Sequence, residues 1–82
     1  IMSSLALGKI FHNTVIPQFV VARKSKGISQ LEMDEVLGVA KGLVSKWECG
    51  IRKPSGWLFC CWADALDMKI TLTPKKVLND KS

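Results

Sequence analysis

Four cations crowd one short stretch of this chain. Lys41, Lys46, Arg52 and Lys53 face the single carboxylate of Glu48 between residues 41 and 53, and this stretch carries much of the net charge of +5. Ammonium and guanidinium groups donate hydrogen bonds to anionic oxygens, so the concentration favours an anionic partner. Nucleic acid is favoured over a membrane surface, because no stretch approaches the length of a membrane span. Covalent chemistry is not indicated. No nucleophile stands beside a histidine, no two carboxylates are framed as acid and base, and no glycine-rich phosphate loop occurs, so no enzyme and no small-molecule substrate are expected. Cys49, Cys60 and Cys61 are odd in number, two are adjacent, and the single histidine, His12, is far away in sequence. That pattern supports neither a disulfide framework nor zinc-ligand spacing, and no metal or cofactor is expected. Cys60 and Cys61 read as small apolar residues of a reducing cytosol.

The elements that must position these cations are helices. Ser29 precedes an amphipathic run and has Glu32 three residues later, the reciprocal pairing that satisfies free N–H groups at a helix start. A helix therefore begins at Gln30. Met33, Val36 and Leu37 recur at spacings of three and four on one face, and Gly38 follows where a left-handed residue ends a helix. After the turn Gly38-Val39-Ala40, a second short helix covers Lys41 to Glu48, with Val44 and Trp47 inward. Two short helices joined through a glycine turn form the unit that lays its second helix in the DNA major groove.

Around this pair, Asn13 or Thr14 caps a first core helix that tolerates Pro17 in its first turn and runs to about Lys26. Its inner face is Ile16, Phe19, Val20 and Ala22 or Arg23, and Gly27 stops it. Ahead of it, Leu5, Leu7, Ile10 and Phe11 follow no clean period and fit a short helix, a strand or a draped arm. In that segment Lys9 and His12 read as solvated. A last helix, from Ser55 or Gly56 to Asp67, is apolar on two sides: Leu58, Trp62, Ala65 and Leu66 form one stripe, Trp57, Cys60, Cys61 and Asp64 the other. One stripe closes the core, and the other needs a further cover. Met68 to Pro74 alternates apolar and polar residues as a strand does, and a lone strand must pair, either with the Leu7 to Phe11 arm or with its own copy in a second chain. The tail from Lys75 to Ser82 is polar.

The stretch from Ile28 to Ser55, ISQLEMDEVLGVAKGLVSKWECGIRKPS, closely resembles the helix-turn-helix of the lambda repressor and Cro-like family of bacterial and phage regulators. Gly27, Ser29, Gln30, Met33, Leu37, Gly38, Val39, Val44, Ser45, Trp47, Glu48, Gly50, Arg52 and Pro54 carry the resemblance, joined further on by Ala63 and Leu66. It covers roughly residues 15 to 67. The resemblance implies a compact all-α domain of four to five helices, here with an optional short C-terminal β-strand for pairing. By the same resemblance Lys41, Gly42, Leu43 and Lys46 fall where relatives touch base edges. Lysine can donate to guanine, and Leu43 can meet a thymine methyl. Gln30 matches the glutamine that grips a phosphate at a helix start, Ser45 is a further candidate donor to phosphate, and Arg52 and Lys53 lie in the loop that relatives run along the DNA backbone. Arg23 matches the family arginine whose partner is the glutamate closing the reading helix, so an Arg23–Glu48 ion pair is expected.

Three departures accompany the match. Ala40 stands at a cap position often filled by serine or threonine, and Gly42 inside the reading helix should cost about 1 kcal/mol relative to alanine. Asp34 replaces a small alanine between the two motif helices, and its carboxylate needs a donor, either a neighbouring backbone N–H or a lysine.

The expected organisation is an N-terminal arm of residues 1–13, a DNA-binding domain of residues 14–67, and a strand and basic tail of residues 68–82. The expected function is a cytoplasmic, homodimeric, sequence-specific transcriptional regulator of repressor type that binds double-stranded DNA at a palindromic operator. Trp57, Cys60, Cys61, Ile70 and Leu72 form the candidate dimer or partner surface. Two alternatives stand beside it: an antitoxin-like module whose apolar stripe docks a toxin protein, and an architectural or recombination-directionality DNA binder.

Overall fold

The structure, a computed structural model, describes residues 3–74. These residues form four helices: α1 (Ser4–Ser25), α2 (Gln30–Leu37), α3 (Leu43–Glu48) and α4 (Gly56–Ala65).

Helix α1 is longer than the sequence pattern predicts. Ser3 caps it by accepting the Ala6 N–H, and the chain then passes without a break through Asn13 and Thr14. The boundary expected between an arm of residues 1–13 and a domain starting at 14 falls inside this helix. Between Phe11 and Val15 the helix widens into a π segment. Pro17 supplies the reason: it has no N–H to donate to the preceding turn, and its ring crowds the carbonyl four residues back. Widening by a residue per turn relieves that crowding without ending the helix. The Gln18 amide, at 2.8 Å, satisfies the Thr14 carbonyl.

The 22 residues of α1 are also long and apolar enough to cross a bilayer, with a mean hydropathy of 1.2 in their most apolar window. This corrects the expectation that no stretch reaches that length, which had divided the segment at Asn13 or Thr14. The carboxyl-terminal half of α1 is nonetheless built into the domain. Ile16, Phe19 and Arg23 are buried there, and Phe19 lies 4.4 Å from Trp62 between ring centroids. Moving α1 into lipid would remove these groups from the core.

Glycine in the left-handed region at Gly27 and Gly38 turns the chain after α1 and α2, as their placement in sequence predicts. Met33, Val44, Trp47, Trp62, Ala63 and Leu66 join Ile16 and Phe19 in one core. The rings run in a connected row, Phe11 on Phe59, Phe59 on Phe19, Phe19 on Trp62 and Trp62 on Trp47, with centroids 4.4 to 5.5 Å apart. This row ties α1 and α4 to the inner side of α3 through large, rigid surfaces. Val36, expected on the inner face of α2, is instead exposed.

Residues 68–74 form no strand, and none occurs among the described residues. Pairing with the Leu7 to Phe11 segment, one of the two expected, fails because that segment is helical and presents no edge to which an extended chain can bond. The tail of residues 75–82 lies outside the described residues.

Candidate nucleic-acid interface

Helix α2 starts where the capping box places it. Ser29 Oγ accepts the Glu32 N–H at 3.0 Å, and the Glu32 carboxylate accepts the Ser29 N–H at 2.8 Å. The Ser29 N–H, and then its hydroxyl, hold the Glu32 carboxyl below its ordinary value. After the Gly38 turn, α3 begins at Leu43, two residues later than expected. Lys41 and Gly42 therefore lie in the turn, and Gly42 is the residue before the helix, with φ +90°. The expected penalty for glycine inside a helix does not arise. This backbone conformation favours glycine.

No side chain of the turn caps α3. The acceptor comes from α2 instead. Asp34, 2 % exposed, accepts the Gly42 N–H at 2.8 Å through Oδ2 and the Val44 N–H at 2.9 Å through Oδ1. Two free donors at the start of a short helix thus meet a buried carboxylate, which the positive end of the helix also favours. The residue that departs from the family pattern supplies what Ala40 lacks.

A second network fixes the other end of α3. Arg23 Nε donates to Glu48 Oε2 at 2.6 Å, and its Nη2 donates to Oε1 at 2.9 Å, a two-pronged ion pair whose side chains are 8 % and 7 % exposed. Arg23 Nη1 also donates to the Ile28 carbonyl at 2.8 Å. Gln30 Nε2 donates to Glu48 Oε1 at 2.9 Å. The Gln30 amide, expected to face a phosphate, is therefore partly engaged, and its second N–H is the one left to donate. Arg23, Glu48 and Gln30 join α1, α3 and the start of α2 in one charge-assisted cluster.

Between these two anchors α3 turns its polar side outward. Lys41 and Lys46 are exposed, Ser45 is half-buried, and Leu43 is half-buried against the core. The space beside Gly42 is open, with no atom within 4 Å of where a β-carbon would stand. Beyond Glu48, Gly50 at φ +84° reverses the chain, and the Lys46 carbonyl accepts the N–H groups of Ile51 and Arg52 at 3.0 and 3.2 Å. That turn sets exposed Arg52 and Lys53 beside the end of α3. Lys41 and Gly42 thus precede α3, Ser45 and Lys46 lie on it, and Arg52 and Lys53 follow it, with all four basic side chains exposed. Trp57, Cys60, Cys61, Ile70 and Leu72 lie elsewhere.

Residues 21–57 match a family model described as helix-turn-helix. This segment is a helix-turn-helix of the lambda repressor and Cro-like family. No curated protein and no solved structure gives a significant match to the chain. The matched segment of this helix-turn-helix protein spans the end of α1, both motif helices and the first two residues of α4, and so includes both networks that hold α3. A DNA-binding regulatory role follows from the family. Asp34 as a helix cap and His12, whose ring packs against Gly50, were not read from sequence as parts of this region. The absence of a cap at Ala40 together with a carboxylate at position 34 was the legible signal for the first. Nothing local signalled the second, because 38 positions separate His12 from Gly50.

Proposed function

We propose that this protein is a sequence-specific transcriptional repressor that binds a palindromic operator as a homodimer, each subunit laying α3 in the major groove. The carrying observation is the presentation of α3, held at its start by Asp34 and at its end by Arg23, with Lys41 just before it and Lys46 on it both exposed. Lys41, Gly42, Leu43 and Lys46 are the base-reading positions, with Lys46 the strongest donor to guanine and Gly42 allowing close approach. Gln30, Ser45, Arg52 and Lys53 contact phosphates and set register and affinity without reading sequence. In a two-fold dimer the half-sites lie about one helical turn apart. Such a protein acts on the nucleoid, in the cytoplasm of a bacterium or of a phage-infected host.

For the dimer, the outer stripe of α4 is the candidate surface. Trp57 is 77 % exposed and, with Cys60, Cys61 and Asp64, lines a shallow apolar groove completed by Val36 and Leu37 of α2. Ile70 and Leu72, in the segment after α4, are 40 % and 93 % exposed and are further candidates for that surface. The same exposed tryptophan supports a second reading, in which the groove receives a toxin protein and DNA binding serves autoregulation. An architectural role would use the basic face without base discrimination.

Selection of purified protein on randomised duplexes, followed by anisotropy titration at low and near-physiological salt, separates these readings. A two-fold symmetric site that keeps its advantage as salt rises is expected. Enrichment of no sequence, with binding that fades uniformly with salt, would replace the repressor reading by the architectural one. A protein that stays monomeric on the selected site while copurifying with a second small protein would favour the toxin-binding reading.

A further inference from the structure

The first turns of α1 and the loop after α3 enclose a cleft of about 620 Å³. Lys9 and His12 of α1 and Arg52 and Lys53 of the loop line it, and no carboxylate does. Lys53 lies along α1 at Gly8, where a β-carbon would stand 3.3 Å from its Cε and 3.5 Å from its Nζ. Glycine at this position leaves the end of the Lys53 side chain room against the helix. Among the described residues none of Lys9, Arg52 and Lys53 has an ion-pair partner, since the two ion pairs present are Arg23–Glu48 and Lys26–Asp67. Cations gathered in a concavity with apolar walls such as Leu5, Phe11 and Trp47 focus a positive field and favour entry of an anion.

The cleft lies beside Trp47, Cys49 and Gly50, at the carboxyl end of α3. A short helix that meets base edges directs the residues beyond its carboxyl end toward the rim of the groove, where the phosphate backbone runs. We propose that this cleft receives a backbone phosphodiester of the duplex flanking the half-site, with Lys9 as the contact that α1 adds to Arg52 and Lys53. The inference rests on the DNA-binding reading of α3. It assigns a function to the amino-terminal extension of α1: Phe11, packed on Phe59, holds the turn that carries Lys9 over the loop. A free phosphate group presents the same chemistry, and the test distinguishes the two sources.

Wild type and Lys9→Gln are titrated at several salt concentrations with two duplexes, one ending at the half-sites and one extended by several base pairs on each side. Lys9 is exposed, so its replacement leaves the fold intact. On the extended duplex Lys9→Gln is expected to bind about fivefold more weakly near physiological salt, with a salt slope shallower by about 0.9 for the one phosphate lost. On the short duplex the two proteins should bind alike. Equal affinity and equal slope on the extended duplex would overturn the proposal. A saturable shift of His12 resonances with inorganic phosphate, seen in wild type and lost in Lys9→Gln while duplex binding is unchanged, would also overturn it and give the cleft to a free anion. Should wild type show no sequence preference, the reading of α3 fails and no half-sites exist; the salt slopes of wild type and Lys9→Gln on one long duplex of arbitrary sequence then decide the cleft, equal slopes overturning it.

Discussion

The carboxylate of Asp34, on α2, accepts the N–H of Val44 at 2.9 Å and so caps a helix to which it does not belong. Its second oxygen takes the N–H of Gly42 at 2.8 Å. Capping from a neighbouring helix fixes the angle between the two motif helices as well as the start of α3. Exposure of the α3 donors at the turn is thereby tied to the packing of α2.

Asp34→Ala leaves two N–H groups at the start of α3 without an acceptor in a buried setting. Loss of about 1–3 kcal/mol of stability is expected, read from the denaturant midpoint. Asp34→Asn keeps one acceptor oxygen and should lie between the two. A midpoint unchanged in Asp34→Ala would show that water replaces the carboxylate at no cost and that the cap contributes nothing.

Arg23→Ala removes both prongs of the ion pair and leaves Glu48, with its side chain 7 % exposed, facing only the amide of Gln30. An uncompensated buried charge is the larger part of the loss, about 3 kcal/mol or more. The Ile28 carbonyl also loses its donor. Arg23→Ala combined with Glu48→Gln should recover part of this loss, measured in thermal unfolding, and a double variant no better than the single one would argue against charge as the cause.

Lys46→Ala and Arg52→Gln separate base reading from backbone contact. The first is expected to cost about 1–3 kcal/mol on the selected site and to relax preference at one or two base pairs. The second should weaken all sequences alike and reduce the salt slope by about 0.9. A uniform loss for Lys46→Ala would move that residue to the phosphate set.

Gly50→Ala and Gly42→Ala compare backbone conformation with steric contact. Both residues have positive φ, +84° and +90°, so either alanine costs about 1–2 kcal/mol through the left-handed backbone. At Gly42 nothing else stands in the way, whereas at Gly50 the new β-carbon would meet the His12 ring at 3.1 Å. Gly50→Ala is therefore the more destabilising of the two, and His12→Ala in its background should return the excess but not the common part. Equal losses at both positions would mean that the ring moves aside freely.

Acid titration has a defined sign. Hydrogen bonds from Ser29 hold the Glu32 carboxyl below its ordinary value near 4.5, and Lys26, at 2.6 Å, holds that of Asp67 below its ordinary 3.8. Both values are depressed in the folded state, so these groups add stability above their ordinary values and lose it as pH falls through the depressed ones. Stability should decline below about pH 4.5, and Glu32→Gln should flatten that decline. A decline of the same steepness in Glu32→Gln would remove the capping box as a contributor.

Local chemistry alone determined the helix-turn-helix. Ser29 with Glu32 starts α2, Gly38 ends it, and Val44 and Trp47 recur at the spacing that faces a core, all within a few residues of one another. The pairing of Arg23 with Glu48 was available only through resemblance to a family, since 25 positions separate them. Tertiary structure decided what depended on partners distant in sequence. Pro17 looked like a first-turn residue, but Phe11 packing on Phe59 and the row of rings behind it make a continuous helix with a widened turn the better solution. Asp34 looked like a disruption, and became a cap once the turn brought Gly42 and Val44 within reach. The alternating residues 68–74 looked like a strand, yet alternation specifies only which faces a strand would have, and the edge it needs must come from another segment. Exposure of Trp57 followed the same logic: the helix periodicity named two apolar stripes, and only the packing of α4 on Trp47 and Phe19 decided which of them the core would cover.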